Sequence, residues 1–417
     1  MRKTFVALAV LAAVLICTFD ERLRAEDAAH PLHHINTAFE NASPLWWEVD
    51  AEGVVHVHLV YDQERGAPNR ANGHWNFRID AEPGADLTLL LGPFANIYNG
   101  RLGTAAREPA TTFVSDDGKE WRAVTMEYVE PDRRRLKVRM NGPSLYVARL
   151  QPYCISDLER LKTEIAGDAM VEITTIGHTV ENRELEMIRV GSPDAPHCVL
   201  IRARAHPWEP GGNWVLEGLI RRLLQSDAHA RQCLATYCLY VMPMANKDGV
   251  ARGRTRFNAN GKDLNRDWLQ PANPILAPEN TALEKWLEAM IASGQGPDLA
   301  IDFHNDAYGN LHFPRPDTED ARWDDYLARL RRFEEVLRAN SWFTEGSSTG
   351  ISPTIAGGLQ KRYGIPACIH ELNADWIAGL EDYPTVANWK KYGEQLSTVF
   401  FKYFTHPDSG PPARASQ

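Results

Sequence analysis

The first third of the chain alternates between hydrophobic and polar residues in short stretches. Between residues 38 and 150 the alternation has a period of two, as in 55–61 and 75–79, and an Asp-Asp-Gly turn sequence stands at 116–118. A period of two is typical of strands that bury one face, and short strands at this spacing favour an antiparallel β-sandwich. We therefore predict an N-terminal β-sandwich domain over residues 26–152.

Downstream of this region, stretches with strand character alternate with stretches of helical periodicity. Apolar runs predict buried strands at 171–175, 184–190, 198–205, 237–244, 298–303 and 366–371. Hydrophobic residues three and four positions apart predict helices at 155–167, 212–225, 281–292, 321–339, 353–363 and 388–405. This order predicts an α/β domain over residues 153–406, with helices on both faces of its sheet. The Pro-rich residues 407–417 are predicted to form a flexible tail.

The N-terminus has the pattern of an export signal. Arg2 and Lys3 are basic, residues 5–17 are apolar, and a small residue ends the segment 23–25. This pattern predicts a signal peptide over residues 1–25 and therefore an exported protein, periplasmic or secreted. The apolar run is too short to span a bilayer comfortably, so we expect no stable membrane insertion after cleavage.

Charge and cysteine content narrow the class of protein. The net charge of −10 gives no basic surface for nucleic acid. A lipid anchor on Cys17 is an alternative to cleavage, although Ile16 before it fits a lipidation signal poorly. The other five cysteines are odd in number and predict no disulfide framework. Nothing in the sequence indicates an oligomeric state.

Polar residues follow three of the predicted strands at their C-terminal ends, where α/β sheets hold their sites. His206 and Glu209 follow the first of these strands, His304 follows the second, and Glu371 ends the third. Imidazole nitrogens and a carboxylate are zinc ligands. With 14 histidines in the chain, one His-x-x-Glu is expected by chance, so the pair at 206–209 gains meaning only with the others.

Four other histidines are weaker candidates for ligands. His56 and His58 share one face of a predicted strand and could chelate a metal together, but no third ligand is near them in sequence, which favours a hydrogen-bonded pair. His312 is predicted to lie in a loop. His370 adjoins Glu371 on a strand and should therefore face the opposite side of the sheet.

Four segments together resemble the zinc carboxypeptidases of the M14 family, most closely its cytosolic-carboxypeptidase-like group. They are HPWE at 206–209, DLNRDW at 263–268, DFHND at 302–306 and IHELN at 369–373. The resemblance covers nearly all of residues 150–405 and, more loosely, the sandwich, since a sandwich also precedes the peptidase domain in that group. It implies a three-layer carboxypeptidase domain with a mixed sheet.

The resemblance also implies roles for individual residues. His206, Glu209 and His304 would bind one Zn²⁺ per chain and leave one position open for water. Glu371 would be the general base that takes a proton from this water and passes it to the leaving amine. Asp263 is expected to hold one of the zinc-bound histidines in its tautomer.

Three further residues match substrate-binding positions of the family. Asn265 and Arg266 would hold the terminal carboxylate of the substrate, for which the planar guanidinium is suited. Arg256 would stabilise the oxyanion, although Arg252 and Arg254 stand close enough in sequence to compete for that role.

The sequence departs from the family where pancreatic-type members carry a tyrosine over the substrate. The corresponding segment 348–359 has no tyrosine, Tyr363 is too close to Glu371 to align with it, and Tyr308 is not expected in the site. Lys361 and Arg362 could attract an acidic terminal residue or could decorate a helix surface.

The expected function is hydrolysis of the C-terminal peptide bond of a peptide or protein. One alternative is a zinc-dependent deacylase of N-acyl amino acids, because related zinc enzymes use similar His-x-x-Glu and Asn-Arg motifs. The predicted N-terminal sandwich and the long series of alternating strands and helices argue against a deacylase. A catalytically inactive peptide- or wall-binding protein is a second alternative, against which the complete ligand set and Glu371 argue.

Overall fold

The computed structural model describes residues 30–104, 111–315 and 322–406. The predicted export signal and tail lie outside these residues. The strands before residue 150 are β1 (Leu32–Asn36), β2 (Leu45–Val49), β3 (Val55–Leu59), β4 (Asp62–Gln63), β5 (Arg70–Ala71), β6 (Asn76–Ala81), β7 (Asp86–Gly92), β8 (Ala95–Tyr98), β9 (Arg101–Thr104), β10 (Thr111–Ser115), β11 (Arg122–Thr125), β12 (Glu127–Val129), β13 (Arg133–Arg139) and β14 (Ser144–Ala148).

Ten of these strands form the sandwich, as two five-stranded sheets in the orders β1-β6-β14-β10-β11 and β12-β13-β7-β3-β2. Inward-facing residues of both sheets, among them Val57, Phe77, Leu89 and Val147, share one buried cluster, as the period of two predicted. The sandwich is not wholly antiparallel, because β3 and β7 pair in parallel. Between β3 and β7 the chain crosses to the other sheet, where it forms β6, and then crosses back. Strand β7 therefore runs in the same direction as β3.

Strands β4, β5, β8 and β9 form a separate four-stranded sheet that the sequence pattern did not predict. These strands have only two to four residues, too few to show a period. The β8–β9 hairpin turns at Asn99-Gly100, with φ angles of 48° and 72°, which is the backbone of a tight hairpin turn. The backbone N–H of Arg65 beside this sheet donates to the carbonyl of Gly261 at 2.8 Å, so the sheet contacts the α/β region.

The α/β region is built on one eight-stranded mixed sheet in the order β15-β16-β18-β17-β19-β22-β20-β21. Its strands are β15 (Val171–His178), β16 (Glu184–Val190), β17 (His197–Ala203), β18 (Tyr237–Met242), β19 (Leu299–Asp306), β20 (Leu311–Arg315), β21 (Ser347–Ile351) and β22 (Ala367–Asn373). The four central strands are parallel, and antiparallel pairs flank them. The parallel centre places the C-terminal ends of β17, β19 and β22 at one edge.

Helices cover both faces of this sheet, as predicted. They are α1 (Ile155–Ile165), α2 (Gly211–Leu223), α3 (Ala228–Thr236), α4 (Lys247–Ala251), α5 (Pro278–Ala292), α6 (Trp323–Asn340), α7 (Ile355–Tyr363) and α8 (Val386–Thr405). Buried residues of α1, α2, α6 and α8 share one cluster with the sheet, and those of α5 and α7 share another. Among the described residues, no helix has the length and apolarity that crossing a bilayer requires. The short α3 and α4 and the strands β20 and β21 were not predicted.

Helices α2 and α8 contact each other backbone to backbone. A Cβ atom on Gly218 would lie 2.1 Å from the carbonyl oxygen of Lys390, and one on Gly393 would lie 1.9 Å from that of Val215. Glycine is therefore required at both positions. This close contact fixes helix α2, which follows directly on the segment that carries His206 and Glu209.

Candidate metal centre and pocket

Strand β17 ends two residues earlier than predicted because Arg204 adopts a left-handed backbone, with φ 61°. Its buried guanidinium donates to the Pro207 carbonyl at 2.7 Å and to the Asn213 side chain at 2.9 Å. These bonds compensate a strained backbone conformation and fold the chain into the loop before α2. The loop holds His206 and Glu209 at the end of the strand.

His206, Glu209 and His304 are buried, and their potential ligand atoms converge. The Nδ1 atoms of the two histidines are 3.1 Å apart, and each lies within 2.9 Å of a carboxylate oxygen of Glu209. Three electron-pair donors this close together, out of water, require a cation or protons between them. Two imidazoles and a carboxylate fit Zn²⁺, which takes this donor set with one further position open.

The outer nitrogen of each imidazole faces a buried carboxylate. His206 Nε2 lies 3.2 Å from Asp263, as expected for the partner of a metal-binding histidine, and His304 Nε2 lies 2.6 Å from Asp302. Asp302 is paired in turn with Arg202 on the neighbouring strand, at 2.6 and 2.7 Å. The sequence reasoning missed Asp302, although its place two residues before His304 on one strand puts both side chains on the same face.

Electrostatics favour a positive charge at this centre. Burial opposes ionisation of Glu209, but the two histidines outweigh it and lower the pKa of this carboxyl to about 2. Burial likewise disfavours a charged His304, yet the carboxylates of Asp302 and Glu209 raise its pKa well above the usual value. Without a metal the cluster therefore holds protons, and a divalent cation would replace them.

Glu371 lies beside the candidate metal centre of His206, Glu209 and His304, because β22 pairs with β19 in the register His304 to Glu371. Its Oε2 atom is buried and makes no hydrogen bond to the described residues. Burial raises the pKa of Glu371 well above the usual value. His370 faces the other side, where its Nε2 lies 2.6 Å from the hydroxyl of Tyr392, so its expected exclusion from the site is confirmed.

Tyr98, from the β8–β9 hairpin, contacts both arginines for which the resemblance implied substrate-binding roles. Its ring centre lies 4.8 Å from the guanidinium of Arg256 and 5.4 Å from that of Arg266. Both arginines also donate to its hydroxyl, Arg256 at 3.3 Å. Arg256 further donates to Asp263 at 2.8 Å, which joins it to the metal centre. No sequence pattern could have paired a hairpin of the N-terminal region with these residues.

Asn265 is held on both sides of its amide. Its Nδ2 lies 3.1 Å from His304 Nε2, and its Oδ1 accepts the backbone N–H of Ile355 at 3.1 Å. Its backbone N–H donates to Asp263 at 2.9 Å. Asn265 therefore connects the metal centre to the first residue of α7.

A cavity of about 580 Å³ adjoins this cluster. Its lining residues from the α/β region include His206, Glu209, Arg256, Asn265, Arg266, Asp306 and Glu371. The N-terminal region contributes further lining residues, among them Arg70, Trp75, Asn96, Tyr98 and Arg149. The N-terminal region therefore forms part of the pocket wall.

Several other candidates lie outside the cavity lining. Tyr308 is exposed. Tyr363 donates to Glu288 at 2.9 Å, and Arg362 is paired with Glu284. Lys361, next to Arg362 on α7, is exposed and does not line the cavity.

The histidine pair of the sandwich is hydrogen-bonded. His56 lies 2.7 Å from a carboxylate oxygen of Asp50, and His58 lies 3.1 Å from one of Glu48 and stacks on Trp46. The hydrogen-bonded interpretation is confirmed. The prediction that His312 lies in a loop is wrong, since it belongs to strand β20, which pairs with β22. His312 is not grouped with the ligand atoms of His206, Glu209 and His304 but lies beside Asp306 and Glu371 in the cavity lining.

Comparison with known proteins supports the family resemblance. Residues 158–306 match the family model of zinc carboxypeptidases, Peptidase_M14. An uncharacterized protein of Zymomonas mobilis is 28% identical over 196 residues, which are 46% of this chain and 49% of that protein. Cytosolic carboxypeptidase 4 of Mus musculus is 34% identical over 135 residues, 32% of this chain and 12% of that protein. The chain therefore spans half or less of the length of these relatives.

The fold is that of a solved metallo-carboxypeptidase from Burkholderia cenocepacia. The two structures superpose with a TM-score of 0.78 over 89% of this chain and 98% of the other, at 18% sequence identity. At this identity the likeness concerns the fold alone, and it confirms the predicted architecture. Residues 158–306 therefore resemble the zinc carboxypeptidases of the M14 family in sequence, and most of the chain shares the fold of this metallo-carboxypeptidase.

Proposed function

We propose that the protein is a zinc-dependent metallocarboxypeptidase that hydrolyses the C-terminal peptide bond of a peptide or protein. One observation carries the proposal: the buried donors of His206, Glu209 and His304 adjoin a cavity that also contains two arginines and a carboxylate, one oxygen of which has no hydrogen-bond partner among the described residues. A metal centre, a base and a carboxylate-binding group within one pocket are the components that this reaction needs.

His206, Glu209 and His304 would hold one Zn²⁺. Zinc, when bound at such a site, acidifies water and polarises a carbonyl group. Asp263 and Asp302 hold the outer nitrogens of the two imidazoles, so that Nδ1 of each ring is directed to the metal position.

Glu371 is the general base in this proposal. Its carboxylate takes a proton from the attacking water and delivers it to the nitrogen of the leaving amine, so one group serves both proton transfers. The buried Oε2 supports this role, because no side chain in the described part of the chain is hydrogen-bonded to the atom that would take the proton.

Arg256 and Arg266 bind the two negative charges of the reaction. The guanidinium of Arg256, ion-paired with Asp263 beside the metal centre, donates to the oxyanion of the scissile carbonyl. The guanidinium of Arg266, assisted by Asn265, pairs with the terminal carboxylate. Tyr98 lies over both guanidinium groups, so an entering carboxylate competes with its hydroxyl for the same donors.

A comparison of the wild type with Glu371→Gln tests the proposal. We expect the wild type to contain zinc and to release C-terminal residues from a peptide library. The variant should retain zinc and lose about 10²- to 10⁴-fold in kcat, while the exposed Glu335→Gln control keeps full activity.

Other outcomes would contradict parts of the proposal. A wild type that binds no zinc rules out the ligand assignment. Zinc binding with hydrolysis of N-acyl amino acids alone identifies a deacylase. Zinc binding with no hydrolysis of either substrate class identifies a binding protein.

We also propose that the chain is exported, on the strength of the basic, apolar and small-residue pattern of residues 1–25. Fractionation of expressing cells followed by N-terminal sequencing tests this. A new N-terminus near residue 26 in the exported fraction supports export, and an intact Met1 found only in the cytoplasm excludes it.

A further inference from the structure

A second group of potential metal ligands lies beside the first. Among the described residues, Asp306, His312 and Glu371 each offer one ligand atom, and these atoms lie within 4.8 Å of one another. The three residues belong to β19, β20 and β22, which are neighbours in the large sheet. The group therefore lies on three adjoining strands at the pocket edge.

Each member of this group is fixed on one side and open on the other. Asp306 accepts the backbone N–H groups of Tyr308 and Gly309 on Oδ1, at 2.8 and 2.6 Å, which leaves Oδ2. His312 Nδ1 is bonded to the Ser348 hydroxyl at 2.8 Å, which leaves Nε2. The Oε2 atom of Glu371 is buried without a partner among the described residues. In metal sites, hydrogen bonds typically orient each ligand side chain and leave one of its donor atoms for the metal.

We propose that Asp306, His312 and Glu371 bind a second divalent cation of the zinc type, and that this cation inhibits the enzyme. One imidazole and two carboxylates suit zinc. A carboxylate that coordinates a cation cannot at the same time accept a proton from water. The inhibition rests on the proposed role of Glu371 as the base, whereas the binding of the cation does not.

The second site should bind zinc more weakly than the first. Asp306, His312 and Glu371 are each partly exposed to the pocket, whereas His206, Glu209 and His304 are all buried. Partly exposed ligands are hydrated before the cation binds, so part of the binding energy is spent in removing that water. The enzyme would then be active at low free zinc and would lose activity as free zinc rises.

Zinc counting tests the binding without reference to activity. The full chain is dialysed against buffers of increasing free zinc, and the bound metal is measured. We expect two equivalents in the wild type and one in Asp306→Asn, His312→Gln and Glu371→Gln. Ser348→Ala should weaken the second equivalent about 10- to 100-fold, because the ring of His312 loses its orienting partner.

His33→Gln is the control, since His33 is an exposed histidine of the sandwich whose Nε2 lies 2.9 Å from a carboxylate oxygen of Glu82. It should retain both equivalents. The first equivalent reports that each variant is folded. A wild type that binds only one zinc, or a second zinc that survives all three ligand substitutions, overturns the proposed site.

Activity measured in the same zinc series tests the inhibition. The peptidase rate at high free zinc divided by the rate at low free zinc should be well below one in the wild type and in His33→Gln. The same ratio should be near one in His312→Gln. If the second zinc binds and this ratio is unchanged in the wild type, the inhibition is wrong and the site stands. Absence of peptidase activity even at low zinc contradicts the proposed function instead.

Discussion

His304 is held by protein groups on both of its ring nitrogens. Nδ1 faces Glu209 and His206, and Nε2 faces Asp302, whose other partner is the guanidinium of Arg202. The ring therefore cannot rotate without breaking a buried, charge-assisted hydrogen bond. This arrangement makes Asp302 a positioning residue for the proposed metal centre.

Replacement of Asp302 by Asn should weaken zinc binding about 10- to 100-fold, because the amide no longer fixes the tautomer and orientation of His304. Competition with a chelator of known affinity measures the change. Asp298→Asn is the matched control, since Asp298 lies just before the start of the same strand and accepts the backbone N–H of Cys198. Equal zinc affinities in the two variants would contradict the role given to Asp302.

Glu279, at the start of α5, should make stability fall with rising pH. Burial raises the pKa of this carboxyl from 4.5 to about 7, and its Oε1 has no hydrogen-bond partner among the described residues. The folded state keeps the proton up to about pH 7, whereas the unfolded chain releases it above 4.5. Its contribution is therefore complete below pH 4.5 and is lost as the pH rises through 7, on the order of 3 kcal/mol.

Glu279→Gln should remove this pH dependence, because the amide has no charge to desolvate. Urea unfolding at pH 5 and pH 8 measures the free energy of unfolding at each end. Glu288→Gln, on the exposed side of the same helix, is the control and should leave the wild-type slope unchanged. If the free energy of unfolding of Glu279→Gln depends on pH as strongly as that of the wild type, another group causes the pH dependence.

The sequence could predict residues that follow strong apolar strands, and it could not predict their distant partners. His206, His304 and Glu371 were predicted because strand ends converge at one edge of a parallel sheet. Arg204 was not expected to adopt a left-handed backbone, since nothing local demands it and its side-chain bonds arise only in the folded loop. Tyr98 reaches its arginines across 158 and 168 residues of sequence, and such contacts leave no local pattern.

At the scale of elements, strand β4 fixes the segment that carries Arg256. The Asp62 carboxylate accepts the backbone N–H groups of Arg256 at 2.7 Å, Phe257 at 2.9 Å and Thr255 at 3.3 Å. Asp62 is buried, so water does not compete for these hydrogen bonds. The small sheet therefore positions a proposed catalytic group of the α/β region.

Asp62→Asn should lower kcat/KM about 100-fold and leave zinc content unchanged. The amide turns an NH₂ group toward backbone donors, so the segment with Arg256 shifts, and a displacement of about 1 Å is enough for such a loss. Kinetics on a fixed peptide and zinc measurement check this. Asp86→Asn, which removes an exposed ion pair with Arg139, should change neither quantity. Zinc loss together with activity would indicate a general folding defect instead.

The elements themselves were predictable to the extent that they are long and periodic. Helices such as α6 and α8 and strands such as β16 and β22 were predicted with small errors at their ends. The four strands of the small sheet were missed because two to four residues cannot show a period. The parallel pairing of β3 with β7 depends on the path of the chain between the two sheets, which hydrophobic patterns do not record.

At the scale of the whole molecule, the proposed zinc would join the loop after β17 to β19 and so tie the centre of the large sheet together. Removal of the metal with a chelator should lower the free energy of unfolding by about 2.7 kcal/mol when zinc had been present at 100 times its Kd. Thermal unfolding with and without chelator measures the difference. His206→Asn should show no chelator effect, whereas Glu371→Gln should retain it.

The pocket has two walls of separate origin, one from the segments between His206 and Glu371 and one from the N-terminal region. The groups proposed to break the bond all belong to the first wall. Side chains of the second wall such as Asn96 and Ile97, which line the pocket outside the sandwich core, can therefore change which chain ends are accepted while the chemistry stays intact. Such a division lets one catalytic apparatus be inherited unchanged while its substrate range diverges, and it makes these lining positions the place to randomise when a new preference is wanted.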